Sequence, residues 1–151
     1  MAEWLAEQLV PGFLDASRSP VDLRSFRAHG HHAARVLGGK FSDEPLPGIC
    51  RSHDSALIVV RDVTTRVLLH HEIPLLAFAV HHPDSRGDCN YTFIDAPPLA
   101  RAFGEVFVPA PKSVLDAPCD LLALERAVGK DPDIKYWSPR SVGEIFYNYW
   151  D

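Results

Sequence analysis

Eight histidines are the side chains best able to do chemistry in this chain of 151 residues. An unperturbed imidazole titrates near pH ~6.5, which suits proton transfer at neutrality, and its nitrogens ligate zinc well. Six of the eight form the doublets His31-His32, His70-His71 and His81-His82. Neighbours in a strand point to opposite faces, so a doublet in a strand offers one imidazole to any one face. His53 precedes the β-rich middle of the chain, and Asp84, Asp88 and Cys89 follow the last doublet. The groups able to meet are therefore His53, one of His70 and His71, and one of His81 and His82. An enzymatic reading is a histidine-dependent hydrolase or lyase with His53, His70, His82 and Asp84 in the catalytic roles. Zinc accepts such a mixed donor set, yet neither an HExxH nor an HxE…PCxxC spacing occurs, so no metal site and no cofactor is assigned.

Cys50-Arg51-Ser52-His53-Asp54 crowds a thiol, a hydroxyl, an imidazole and a carboxylate into five residues. Triad members normally converge from separate segments, and no Gly-x-Ser-x-Gly elbow is present. Ser52 and Asp54 read more simply as turn formers in a loop containing Pro45, Pro47 and Gly48. Gly38-Gly39-Lys40 follows a helix rather than a strand, which makes it a helix stop and not a phosphate loop.

The formal charge is −5, from 15 basic and 20 acidic side chains. Net negative charge disfavours nucleic acid and anionic membranes as partners. Residues 76–151 hold 11 of the acids against 7 bases, and Asp84, Asp88, Asp95, Asp116, Asp120, Asp131 and Asp133 are the carboxylates suited to meet a basic partner. Residues 18–40 reverse the sign, with Arg18, Arg24, Arg27, Arg35 and Lys40 against Asp22 alone. Arg24, Arg27, His31 and Arg35 recur at spacings of three and four, so they form one helix face able to grip a phosphate or an acidic partner, or simply to stay solvated.

The C-terminal end is dense in aromatics: Tyr136, Trp137, Phe146, Tyr147, Tyr149 and Trp150. Val142, Ile145, Phe146 and Tyr149 make an i, i+3, i+4, i+7 stripe, and these with Trp137 are expected in the core. Tyr147 and Trp150 fall off that stripe. They either meet a partner or are covered from a second side within the fold.

The elements that must position these groups follow from periodicity and punctuation. Trp4, Leu5, Leu9 and Phe13 predict a short first helix interrupted by Pro11. Ser19-Pro20 predicts a helix start, with the helix running to about Leu37. Runs at 56–61, 67–71, 75–80 and 91–94 predict strands joined by turns at 62–65 and 83–88, and a further strand at 105–108 is compatible with the pattern. Residues 40–55 read as an irregular loop, and a short element is expected near 99–103. Leu121 to Val128 predicts a helix stopped by Gly129, Asp131-Pro132 a turn, and Ser141-Val142-Gly143-Glu144 a capping box opening a last helix to the end of the chain. The 13 prolines fit many short elements. The expected class is α+β in one domain: N-terminal helices, a central antiparallel meander of four to five strands, and two C-terminal helices.

Three cysteines without CxxC spacing suggest reduced thiols. Two acids among the first seven residues do not suit a signal peptide, and no apolar run approaches the ~20 residues of a membrane span. A soluble cytoplasmic protein is expected. A small, acidic domain of this kind suits a partner-binding protein, such as a bacterial immunity or antitoxin-like protein covering a basic target. The alternatives are the histidine enzyme above and an oligomeric ligand-binding module.

Overall fold

The computed structural model of this chain describes residues 1–16, 21–44, 52–83 and 90–148. Within them the fold is α+β, with seven helices and a six-stranded mixed sheet. Helix α1 spans Ala2–Leu9 and buries Leu5 and Ala6. Helix α2, Leu23–Val36, opens on Asp22, whose carboxylate accepts the Arg24 N–H at 3.0 Å and so satisfies one of the orphan donors of the first turn. The start expected at Ser19-Pro20 lies outside the described residues.

Strand β1, Lys40–Asp43, occupies the start of the segment read as loop and forms a sheet edge against β2, His53–Val60. Strands β2 and β3, Val63–His70, form a tight hairpin. Arg61 and Asp62 both have positive φ, 49° and 65°, as a two-residue primed turn requires. The turn is thus shorter than expected. Thr64 and Thr65, being β-branched, continue the ladder instead. Strand β4, Leu75–Val80, and the two-residue strand β5, Phe93–Ile94, complete the antiparallel path. After α3, Pro97–Phe103, strand β6, Val108–Pro109, returns parallel to β4 with Val108 opposite Leu75. This parallel addition makes the sheet mixed.

Four helices follow. They are α4, Lys112–Leu115, α5, Leu121–Val128, α6, Pro132–Trp137, and α7, Val142–Phe146. Helices α5 and α7 match expected elements, whereas α4 was not foreseen and α6 replaces a turn. Asp120 and Asp131 cap α5 and α6, each accepting a backbone N–H of the first turn. Ser141 accepts the Glu144 N–H at 3.3 Å, but the Glu144 carboxylate reaches back to the N–H of Arg140 rather than of Ser141. The capping box is therefore displaced by one residue. Helix α7 stops at Phe146.

The sheet lies between two helical layers. Phe26, Ala33 and Ala34 of α2 and Leu99 and Phe103 of α3 cover Ala56, Ile58, Val67, Leu69, Leu76 and Phe78. Phe26 is fully buried, stacked on Phe103 and edge-on to Phe41 and Phe107. A phenyl buried in this way contributes about 1.5–3 kcal/mol. On the opposite face Leu68, Leu75, Ala77, Ala79 and Phe93 pack with α1 and with Leu115, Leu124, Ile134, Val142, Ile145 and Phe146. Among the described residues no helix is long and apolar enough to cross a membrane.

Candidate functional site

Antiparallel register places His53 of β2 opposite His70 of β3, both on the face covered by α1 and α7. His53 is 0% exposed and its Nε2 shares a 2.7 Å hydrogen bond with the hydroxyl of Tyr91. The guanidinium of Arg66 lies over the Tyr91 ring, 5.6 Å from its centroid. Arg66 in turn grips Glu44 with both arms of its fork, Nε to Oε2 at 2.8 Å and Nη2 to Oε1 at 2.6 Å, and Ser55 donates to the same carboxylate at 2.7 Å. A continuous polar line, Glu44–Arg66–Tyr91–His53, therefore crosses this end of the sheet.

Electrostatics define what the line can do. Burial alone would raise the Glu44 carboxyl, but hydrogen bonds from Arg66 and Ser55 and the charges of Arg66 and His81 outweigh it and leave the group below its ordinary value. Burial, helped by the charges of His71 and the terminal amine, lowers His70 to about 4. Its Nδ1 accepts the Glu72 N–H at 3.1 Å, which leaves the proton of the neutral ring on Nε2. A neutral imidazole held so far below neutrality is a hydrogen-bond donor, not an effective base at pH 7. It lines a cavity of about 260 Å3 shared with Ser52, His71, Glu72, Ile145 and Asn148.

The proposed catalytic quartet divides. His53 and His70 are neighbours. His82 lies beyond the far end of β4, which runs antiparallel to β3, so Leu75–Val80 separates it from His70 by about 17 Å at ~3.3 Å per residue. Asp84 lies outside the described residues, as do Asp88, Cys50, Cys89, Tyr149 and Trp150. His71, of the second doublet and one residue beyond β3, pairs with Asp54 at 3.1 Å and lines the same cavity as His70. His81, from the third, approaches Arg66 at 3.5 Å. Among the described residues no three His, Cys, Asp or Glu side chains are grouped to hold a metal ion.

Ser52 has a structural task. Its hydroxyl donates to the Phe146 carbonyl at 2.7 Å and accepts the Asn148 N–H at 2.9 Å, tying the start of β2 to the end of α7. The Cys119 thiol is pushed up by burial and by the nearby charges of Asp120 and Glu144, the opposite of nucleophile activation.

The aromatic assignments exchange places. Tyr147, named as an interface candidate, is 1% exposed and donates from its hydroxyl to the Leu75 carbonyl at 3.1 Å. It packs edge-on to His53 and His70. The helix ends one residue earlier, and the non-helical backbone at Tyr147 (φ −123°, ψ 77°) turns the ring inward, so a helical stripe does not govern it. Trp137, expected in the core, is 40% exposed, edge-on to Tyr136, which is 79% exposed. Leu122 of α5 is also largely exposed, and α5 and α6 enclose a groove of about 480 Å3 with Leu121, Pro132 and Ile134 in its lining.

The charged candidates are partly spoken for. Asp95 accepts the Lys112 N–H, Asp116 pairs with the Lys112 ammonium, and Asp120 and Asp131 are caps, yet Asp95, Asp116, Asp120 and Asp133 remain on the surface. On α2, Arg27 turns aside to Asp43 at 2.9 Å and the His31 ring lies 4.6 Å from that of Phe41. Arg24 and Arg35 are exposed. Comparison with protein-family models, with curated proteins and with solved structures finds no match to this chain.

Proposed function

We propose that this chain is a non-catalytic partner-binding protein of the bacterial cytoplasm, of the immunity or antitoxin kind, and that its C-terminal helical layer covers a basic protein target. One observation carries the reading: Tyr136 and Trp137 stand edge-on to each other and exposed on α6, the helix that with α5 encloses a groove, and α5 also exposes Leu122. Aromatic rings give large, stiff contact area at low entropic cost and are enriched in interface centres. Asp120, Asp131 and Asp133 border the same helices, in the half of the chain that holds 11 of the 20 acids. The net charge of −5 on the chain as a whole speeds association with a basic partner.

The histidine-enzyme alternative gains less support. Of its named groups that are described, His82 lies beyond the far end of β4 from His53 and His70, and His70 is held neutral. The test is affinity capture from the native host with the chain and its Tyr136→Ala/Trp137→Ala variant in parallel. The proposal expects a stoichiometric basic protein on the native chain and its loss from the variant. Absence of any stoichiometric protein on the native chain would overturn the reading.

A further inference from the structure

The two helices on the other side of the sheet carry arginine without acid. Helices α2 and α3 contain Arg24, Arg27, Arg35 and Arg101 and no Asp or Glu, in a chain whose net charge is −5. The helices of the opposite layer, within residues 112–148, instead interleave six acids with five bases, so the run of arginine without acid is particular to α2 and α3. Burial of Phe26, Gly30, Ala33 and Ala34 fixes the orientation of α2. At 100° per residue Arg24 and Arg35 then project from the opposite side, within about 20° of one another and about 16 Å apart along the axis. Arg101 lies two residues from both Leu99 and Phe103, which are buried, and is itself exposed. Helices α2 and α3 pack together through Phe26 and Phe103. Arg24, Arg35 and Arg101 thus share one outer layer, while Arg27 is held by Asp43.

We propose that the outer face of α2 and α3 is a second docking surface, for an acidic protein segment, distinct from the aromatic face of α5 and α6. Guanidinium forks match carboxylates with two parallel hydrogen bonds, and a strip about 16 Å long fits a few turns of an acidic helix. A nucleic-acid duplex repeats over about 34 Å and would run onto the acidic remainder of the surface. Single-stranded RNA is bound on aromatic platforms, whereas the exposed positions of α2 and α3 are Arg, Ala, His, Val and Pro. The partner that matches both the charge and the extent of the strip is a short run of carboxylates.

The experiment measures fluorescence anisotropy of a labelled deca-glutamate peptide at 20 mM salt, against a labelled 12-nucleotide RNA and vesicles containing phosphatidylserine. Deca-glutamate should bind most tightly. Arg24→Gln/Arg35→Gln/Arg101→Gln should weaken it at least tenfold with an unchanged melting temperature, and Arg24→Ala/Arg35→Ala should give an intermediate loss. Arg126→Gln/Lys130→Gln on the opposite layer should leave binding within twofold. Tighter binding of RNA or vesicles, no binding of deca-glutamate, or equal binding by the native chain and the triple variant would overturn the proposal.

Discussion

His53 and His70 face each other across β2 and β3, with Nε2 of His53 bonded to the Tyr91 hydroxyl at 2.7 Å and its Nδ1 3.4 Å from the Ser52 hydroxyl, and Nδ1 of His70 accepting the Glu72 N–H at 3.1 Å. Tyr147 sits edge-on to both rings. The pair is therefore a joint. It fastens the end of the sheet to the segment that carries Tyr91, to the turn after β3 and to the residue that follows α7.

The joint should be sensitive to acid. His70 is held at about 4 in the folded chain against an ordinary 6.5, so the unfolded state binds its proton first as pH falls. Its stabilisation is complete above pH ~6.5 and is lost progressively down to about pH 4, by roughly 3 kcal/mol in all. Glu44, lowered in the folded state, adds a loss as pH falls through its own range, and that loss is common to the native chain and to His70→Gln. Urea midpoints at pH 7.5 and 4.5 should therefore drop less in His70→Gln than in the native chain. Parallel drops would contradict the assignment.

Glu44 and Arg66 make a second, separable prediction. Glu44→Leu removes both arms of the guanidinium grip from an arginine that is almost wholly buried. Hydrogen bonds to a charged group are worth about 1.5–3 kcal/mol, so a loss of about 2 kcal/mol is expected in chemical denaturation. Replacing both partners, Glu44→Leu/Arg66→Met, should cost less than Glu44→Leu alone, because no buried charge is left behind.

Gly30 inverts the usual rule for a helix interior. Alanine there ordinarily gains about 1 kcal/mol. A Cβ at Gly30 would fall 2.2 Å from Cε2 of the buried Phe41 ring, so α2 packs on β1 only because the atom is missing. Gly30→Ala is expected to lower stability by about 1–3 kcal/mol through overpacking, visible as a depressed melting temperature. A raised melting temperature would show that Phe41 yields at no cost.

Local signals made much of the fold legible. Gly129 ends α5 as read, Ser141 opens α7, and the hairpin strands carry their β-branched residues. What failed was information held in pairing. Lys40–Asp43 has the composition of a loop and becomes a strand only because β2 offers it an edge. The meeting of His53 with one histidine of the second doublet was expected, and hairpin register selects His70. For Tyr147 the second of the two expected readings holds, cover within the fold, because the helix ends at Phe146 and the ring turns inward. Trp137 was misread because the turn expected at Asp131-Pro132 is the start of α6, which buries Ile134 and leaves the following aromatics outside.

The most direct measure of the central claim is the affinity of the captured partner for three proteins: the native chain, Tyr136→Ala/Trp137→Ala and Tyr147→Phe. Interface aromatics of this kind cost about 2 kcal/mol or more on truncation, so the double variant should bind at least about 30-fold more weakly. Tyr147→Phe loses the hydrogen bond to the Leu75 carbonyl, and with it about 1 kcal/mol of stability, but should bind as the native chain does. Affinity of the double variant within threefold of the native value would contradict the account, because the partner would then be held somewhere other than the face of α5 and α6.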